Sequence, residues 1–449
     1  MLDRLEIKPL TAPPHATIRV PGSKSITNRA LVLAALTCGD VKGRDVKEGC
    51  SLDGVLQSED TEIMAAALQQ LGFRLHINWT QQHIFVEPRN AERVIPVSSA
   101  SLFLANSGTS MRFLTALVAL GEGRYRLDGI ERMRERPIQD LLESLHQLGV
   151  KAHTEFNNGC PPVIVDANGL SGGDIQIRAN TSSQFLSGLL MAAPFAQKDT
   201  TIEVDGIMVS QPYVCMTVAM MRQFGLIVDN EGPTHFRIPA PQQGSVFRDG
   251  GFFYYGIEPD ASSASYFMAA AAVTLGKVCI PGLHQGSLQG DVQFAGLLAR
   301  MGCQITWDYG PDTTVRGAPL HGIDVEMNDI SDTVMTLAAV ACFAEGPTTI
   351  RNVAHIRHKE TDRLAALATE LRRVGAEVDE FADGLKITPR PLHGAEIETY
   401  NDHRMAMSMA LIGLKVPGII IKNPDCVAKT YPRFWEDLEK LRTPNFSLD

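Results

Sequence analysis

The stretch MAAALQQLGFRL, residues 64–75, decides how the whole chain is read. Met64, Leu68 and Leu71 recur at helical spacing. Gly72 is the residue type that closes a helix in the left-handed conformation, and Phe73-Arg74-Leu75 then alternates like a strand. One such stretch carries little information. The pattern returns as LLESLHQLG ending at Gly149, VAMMRQFG at Gly225, LLARMG at Gly302 and ATELRRVG at Gly375, so that successive glycines lie 73 to 77 residues apart. A sixth helix, over residues 434–441, falls where the next copy should end. Near-equal spacing of this kind marks a repeated structural unit.

Each copy holds a second helix, more apolar than the first and with a polar start. The earliest is VPGSKSITNRALVLAAL, residues 20–36, where Pro21-Gly22 ends what precedes and a donor-rich turn opens an apolar run. The others begin at NSGTSMR (106–112), TSSQ (181–184), DASSAS (260–265), SDT (331–333) and NDHR (401–404). Bodies such as FLSGLLMAAP and YFMAAAAVTL are apolar on every side and predict buried helices, while HIFVEP and DIQIRA predict strands between them. The chain thus reads as six copies of a two-helix, multi-strand α/β unit. Six buried helices cannot share one small core, which predicts two globules of three copies each.

Composition narrows the function. The 449 residues are 44% hydrophobic and 20% charged, as in soluble globular proteins. No apolar run approaches the length of a membrane span, and the start, MLDRLEIKPL, lacks the apolar core of a signal peptide. Eight cysteines are scattered without a CxxC pair, which fits reduced thiols in the cytoplasm. A formal charge of −10 argues against nucleic acid or an anionic membrane as partner. If the substrates are anions, the cations have to be gathered in one place.

The polar residues sit at helix starts. Besides those above, the amphipathic helices begin with RERPIQD (134–140), VSQPY (209–213), RHKETDR (357–363) and AKTYP (428–432). Helix starts carry unpaired N–H groups and the positive end of the dipole, so they suit anions; ordinary capping explains any single one equally well. Eight cations at corresponding positions, Lys24, Arg29, Arg112, Arg136, Lys359, Arg363, Arg404 and Lys429, predict a positive cleft for phosphate- or carboxylate-bearing ligands. Such a cleft is expected to stand open when empty and to close on a dianion. Two carboxylates stand out against the cations. Asp332 and Glu360 are either helix caps or ionised groups suited to general base work. His403 is open between structural hydrogen bonding and an active role. Walker A, HExxH and GxSxG patterns are absent from the sequence, and Ser182, Ser183 and Ser210 lack an adjacent base, so hydroxyl donation to phosphate is favoured over nucleophilic attack.

Nine ordered motifs, GSKSITNRAL, NSGTSMR, RERPI, SSQF, VSQPY, DASSASYF, HKETDR, NDHRMAM and AKTYP, together resemble the 5-enolpyruvylshikimate-3-phosphate synthases, the 3-phosphoshikimate 1-carboxyvinyltransferases. The resemblance implies the two-globule enolpyruvyl transferase fold: six βαβαββ-type repeats, three per domain, with the active site in the interdomain cleft. It places domain I at residues 1–21 plus 256–449 and domain II at residues 22–255. It implies transfer of the enolpyruvyl group of phosphoenolpyruvate to the 5-hydroxyl of shikimate 3-phosphate, with release of phosphate through a tetrahedral intermediate, in the shikimate pathway to chorismate and the aromatic amino acids. Carried over residue by residue, Lys24, Ser25, Arg29, Ser182, Ser183, Gln184, Ser210, Asp332, His355 and Lys359 resemble the shikimate 3-phosphate contacts, with Tyr213 in the same motif. Lys24, Gly108, Arg136, Gln184, Arg363, Arg404 and Lys429 resemble the phosphoenolpyruvate site. Asp332 resembles the residue that takes the 5-hydroxyl proton, Glu360 the one that handles the proton at the methylene carbon, and Lys24 is the third catalytic candidate. The family needs no metal and no organic cofactor; a cytoplasmic monomer is expected.

The sequence departs from that pattern at two positions. His355 stands where many members have Asn, and Phe113 where many have Pro. The family is the target of glyphosate, which competes with phosphoenolpyruvate, and Phe113 is expected to weaken inhibition if its ring tilts the helix that carries Gly108. Two alternatives remain. UDP-N-acetylglucosamine enolpyruvyl transferases share the fold and chemistry but place a catalytic Cys in the loop before the Arg-Pro matching Arg136-Pro137, and residues 128–135 contain none. A catalytically silent anion-binding protein on the same scaffold is opposed by the presence of both Asp332 and Glu360.

Overall fold

The computed structural model describes residues 3–38, 49–89, 93–242, 253–307 and 312–443. Twelve helices appear among them in chain order: α1 (Lys24–Thr37), α2 (Glu59–Gln70), α3 (Gly108–Val118), α4 (Gln139–Gln147), α5 (Ser183–Ala192), α6 (Gln211–Gln223), α7 (Ala261–Thr274), α8 (Phe294–Arg300), α9 (Val334–Ala341), α10 (Arg363–Arg373), α11 (His403–Gly413) and α12 (Phe434–Glu439). The chain divides into two compact units. Unit 1 comprises residues 1–21 and 258–449, and unit 2 comprises residues 22–257.

The five repeated glycines do the same job each time. Gly72, Gly149, Gly225, Gly302 and Gly375 have φ of 92°, 81°, 75°, 116° and 102°, a region closed to most side chains. After each, the next residue's N–H reaches back to a carbonyl in the last turn, as from Phe73 to Leu68 and from Ala376 to Leu371. This is the glycine-terminated helix stop, and it turns the chain straight into the following strand.

Each repeat builds one small sheet with the same internal order. In the second repeat Ser99–Phe103 runs parallel to Glu122–Asp128, which pairs antiparallel with Val163–Asn168, and Lys151–Thr154 closes the edge. The third repeat copies it with Gly173–Arg178, Thr200–Asp205, His235–Ile238 and Asp229–Glu231. Parallel neighbours need a crossover, and the buried helix supplies it. Three strands come from outside their repeat. Phe253–Gly256 joins Cys50–Asp53 to complete the first sheet of unit 2. His15–Thr17 joins Lys277–Ile280, and Arg4–Ile7 pairs antiparallel with Ile419–Lys422, completing two sheets of unit 1. The sixth sheet has three strands among the described residues rather than four.

Unit 2 is centred on α1, α3 and α5, and unit 1 on α7, α9 and α11, all buried almost throughout. Alanine and glycine let these helices approach closely. A Cβ on Gly188 of α5 would lie 3.1 Å from the Arg112 carbonyl oxygen and 3.3 Å from Ala116 Cβ of α3. The remaining six helices are only partly buried. No helix among the described residues is long and apolar enough to cross a membrane.

Candidate active site

In unit 2 the candidate residues cluster at the first turns of the buried helices, because each helix is opened by a serine. Ser23, Ser107 and Ser182 cap α1, α3 and α5 by accepting from the N–H of Ile26, Ser110 and Gln184. A neutral cap leaves the positive helix end uncompensated, as an anion site requires. Lys24 begins α1, and its Nζ is 3.1 Å from Asp60 Oδ2. Ser25 follows it. Gln184 donates to Thr109 Oγ1 at 3.1 Å, which links the starts of α5 and α3. Arg136 donates to the Asn106 carbonyl and side-chain oxygens at 3.2 and 3.3 Å, and a Cβ added to Gly108 would run into its Nη2. Gly108 therefore leaves room for that guanidinium. Ser183 is the first residue of α5; Ser210, before α6, is buried and held in the left-handed region at φ 52°.

Arg29 and Arg112, two of the eight cations, are anchored within unit 2. Arg29 is 2% exposed, and four hydrogen bonds hold it inside unit 2: to Thr217 Oγ1 at 2.7 Å, the Ser25 carbonyl at 3.0 Å, the Tyr213 carbonyl at 3.2 Å and Ser187 Oγ at 3.3 Å. Its guanidinium also lies over the Phe113 ring, 5.1 Å from the centroid. It ties α1, α5 and α6 together beneath their starts. Burial lowers its pKa to about 10, so it remains charged at neutral pH. Arg112 is buried too, donating to the Gly108 and Pro137 carbonyls at 3.2 Å each. The reason is tertiary: both side chains point down a buried helix and meet carbonyls and hydroxyls that need donors.

In unit 1 the candidates form one charged network. Asp332, in the 3₁₀ turn Ser331–Thr333 before α9, accepts from Arg404 Nη2 at 2.8 Å and Arg363 Nη1 at 3.3 Å, with Lys359 Nζ at 3.9 Å. Glu360 accepts from Arg363 Nη2 at 2.9 Å, so both candidate proton-transfer groups share one guanidinium. Arg363 is 1% exposed. Burial alone would lower its pKa, but Asp402, Glu360 and Asp332 together raise it, so its charge is fixed. Arg404 reaches the Tyr266 hydroxyl at 3.5 Å; burial, opposed by Arg404, pushes that hydroxyl up to about 12. Lys429, itself buried, ends the 3₁₀ turn Pro424–Lys429. His355 is buried beside Lys359, and burial foremost, with that cation, lowers its pKa to about 3, which keeps the imidazole neutral. His403 is buried with Nδ1 3.7 Å from Asp402 Oδ1. Among the described residues no group of His, Cys, Asp and Glu is arranged to hold a metal ion.

Sequence reasoning missed the groups that hold these residues: Asp60, Thr109, Asn106, Tyr266 and above all Asp402. Asn106 and Thr109 lay within NSGTSMR, Tyr266 within DASSASYF and Asp402 within NDHR, but none of these motifs showed which partner each side chain would hold.

A family model described as EPSP synthase (3-phosphoshikimate 1-carboxyvinyltransferase) matches residues 11–438. The chain belongs to the EPSP synthase family. A 3-phosphoshikimate 1-carboxyvinyltransferase of Nostoc punctiforme is 50% identical over 98% of this chain and 100% of its own. One of Shewanella loihica is 44% identical over the same shares. Among solved structures, EPSP synthase from Acinetobacter baumannii superposes with a TM-score of 0.79 at 24% identity, covering 98% of each chain. That last likeness is one of fold: the two-domain enolpyruvyl transferase architecture. As a member of the EPSP synthase family, the chain is a transferase enzyme.

Proposed function

We propose that the chain transfers the enolpyruvyl group of phosphoenolpyruvate to the 5-hydroxyl of shikimate 3-phosphate, as a monomer in the cytoplasm. The observation that carries this reading is the shared guanidinium of Arg363, which holds Asp332 and Glu360 within one network of cations. Addition of an alcohol across an enol phosphate needs a base for the hydroxyl, an acid for the methylene carbon and fixed charge around a phosphate. Asp332 takes the 5-hydroxyl proton as the oxygen attacks C2 of phosphoenolpyruvate. Glu360 delivers a proton to C3, giving the tetrahedral intermediate. Glu360 then takes a proton back from C3 while the C–O bond to phosphate breaks and the departing phosphate takes the proton held by Asp332, leaving the enolpyruvyl ether and inorganic phosphate.

The binding roles follow the same division. Arg136, Arg363, Arg404 and Lys429, with Gly108, receive phosphoenolpyruvate. Ser25, Arg29, Ser182, Ser183 and Ser210, with Lys359, receive shikimate 3-phosphate, and Lys24 and Gln184 serve both. A neutral His355 offers one donor and one acceptor, the pair an Asn amide would offer, so it serves as a shikimate contact in that residue's place. The test is phosphate release with phosphoenolpyruvate and either shikimate 3-phosphate or UDP-N-acetylglucosamine. Release with the first acceptor alone is expected. Release only with the UDP-sugar would reassign the substrate, and none with either would leave an anion-binding protein.

A further inference from the structure

Asp402 has no part in the chemistry above, yet its surroundings are built around it. The carboxylate is fully buried. Its Oδ2 accepts from Arg363 Nε at 2.8 Å and its Oδ1 from Arg363 Nη2 at 3.3 Å, a two-point fork. Oδ1 also caps α11 by accepting from the backbone N–H of Arg404 at 2.9 Å. One carboxylate thus fixes the guanidinium that begins α10 and the backbone of the residue whose guanidinium leaves the first turn of α11.

The preceding loop holds that carboxylate in place. Tyr400 and Asn401 are consecutive left-handed residues, with φ of 54° and 52°, a conformation that persists only where surrounding contacts over-determine it. Those contacts come from α10. Glu370 lies seven residues after Arg363 and therefore on the same helix face. Buried, it accepts from the Tyr400 hydroxyl at 2.8 Å and the Glu398 N–H at 3.2 Å. So α10 grips the 398–402 loop at two points, Glu370 on Tyr400 and Arg363 on Asp402. Compensating the charge of Arg363 would not need this construction, since Glu360 and Asp332 already flank it. A fork and a cap add direction.

We infer that Asp402 is a positioning residue that sets the guanidinium groups of Arg363 and Arg404, carried on separate helices, at one fixed separation to receive the anionic groups of phosphoenolpyruvate. This rests on the proposal that those two arginines bind that substrate. Asp402→Asn keeps the cap acceptor and removes the charged fork. In the full-length variant the KM for phosphoenolpyruvate is expected to rise about 10- to 100-fold, while the Kd for shikimate 3-phosphate, by titration calorimetry, stays within about 3-fold. Asp402→Glu, which keeps the charge one methylene further out, is expected to show the same substrate-selective loss, and it decides the matter should the Asn variant not fold. An unchanged KM, or equal losses for both substrates, would overturn the inference and leave Asp402 a helix cap. If the unaltered chain bound shikimate 3-phosphate but released no phosphate with phosphoenolpyruvate, the functional proposal would have failed first, and the inference would fall with it.

Discussion

Asp332 lies among Arg404, Arg363 and Lys359, which fix the direction of its carboxylate. Asp332→Ala and Glu360→Ala should each lower kcat by about 10²- to 10⁴-fold, the usual worth of general acid–base groups. Binding of shikimate 3-phosphate should change far less, and near-normal turnover at saturation would return either residue to a structural role. His355 makes a different claim at the same scale. Its native pKa of about 3 lies below the ordinary value of 6.5 because burial disfavours the imidazolium. Between those pH values the unfolded chain binds a proton that the native chain does not. Stability therefore falls as pH falls through this window, by up to about 1.4 kcal/mol per pH unit, and the loss ends below the native pKa. Urea unfolding at pH 6 and pH 4 should show a larger loss for the unaltered protein than for His355→Asn. Parallel losses would mean that His355 is protonated in the native state.

At the scale of elements, the spacing of α3 and α5 sets the site of unit 2. The Gln184–Thr109 hydrogen bond joins their starts, and one turn further along Gly188 lets the backbones approach. Gly188→Val should drive them apart, destabilising the protein by about 1–3 kcal/mol, as overpacking does. It should also raise the KM for shikimate 3-phosphate by loosening Gln184. Unchanged unfolding midpoint and KM would mean that α3 tolerates the added branch. This contact also shows what the sequence could and could not tell. The five glycine stops were legible because only glycine sits comfortably at those φ values, so residue type and backbone geometry coincide. The buried helices were legible from unbroken apolar runs. The hydrogen bonds of Arg29 were not, because Thr217 and Ser187 receive it from another repeat, far away in sequence. The borrowed strands were hidden as well: His15–Thr17 spans three residues, too few for any alternation to register. For Phe113 the sequence left packing open. The structure buries its ring against Arg29, so its packing involves α1 as well as α3.

The whole molecule is one chain that leaves unit 1 and returns to it at a single point: the Asp260 N–H donates to the Pro21 carbonyl at 2.8 Å. Each unit has its own buried helices and complete sheets, which gives each enough core to fold alone. The borrowed strands decide where cuts are permitted. A fragment of residues 22–257 keeps Phe253–Gly256 beside Cys50–Asp53 and should unfold cooperatively in urea. Residues 258–449 alone lose both Arg4–Ile7 and His15–Thr17, exposing the edges of Ile419–Lys422 and Lys277–Ile280. Unpaired strand edges aggregate, so that fragment should be insoluble or uncooperative. Joining residues 1–21 to 258–449 through a short glycine-serine linker restores both strands, and the hydrogen bond between Asp260 and Pro21 shows that the linker need span only a short distance. The fused fragment should regain a sharp transition by circular dichroism. A cooperative transition in residues 258–449 without the first 21 residues would show that the borrowed strands decorate unit 1 rather than complete it.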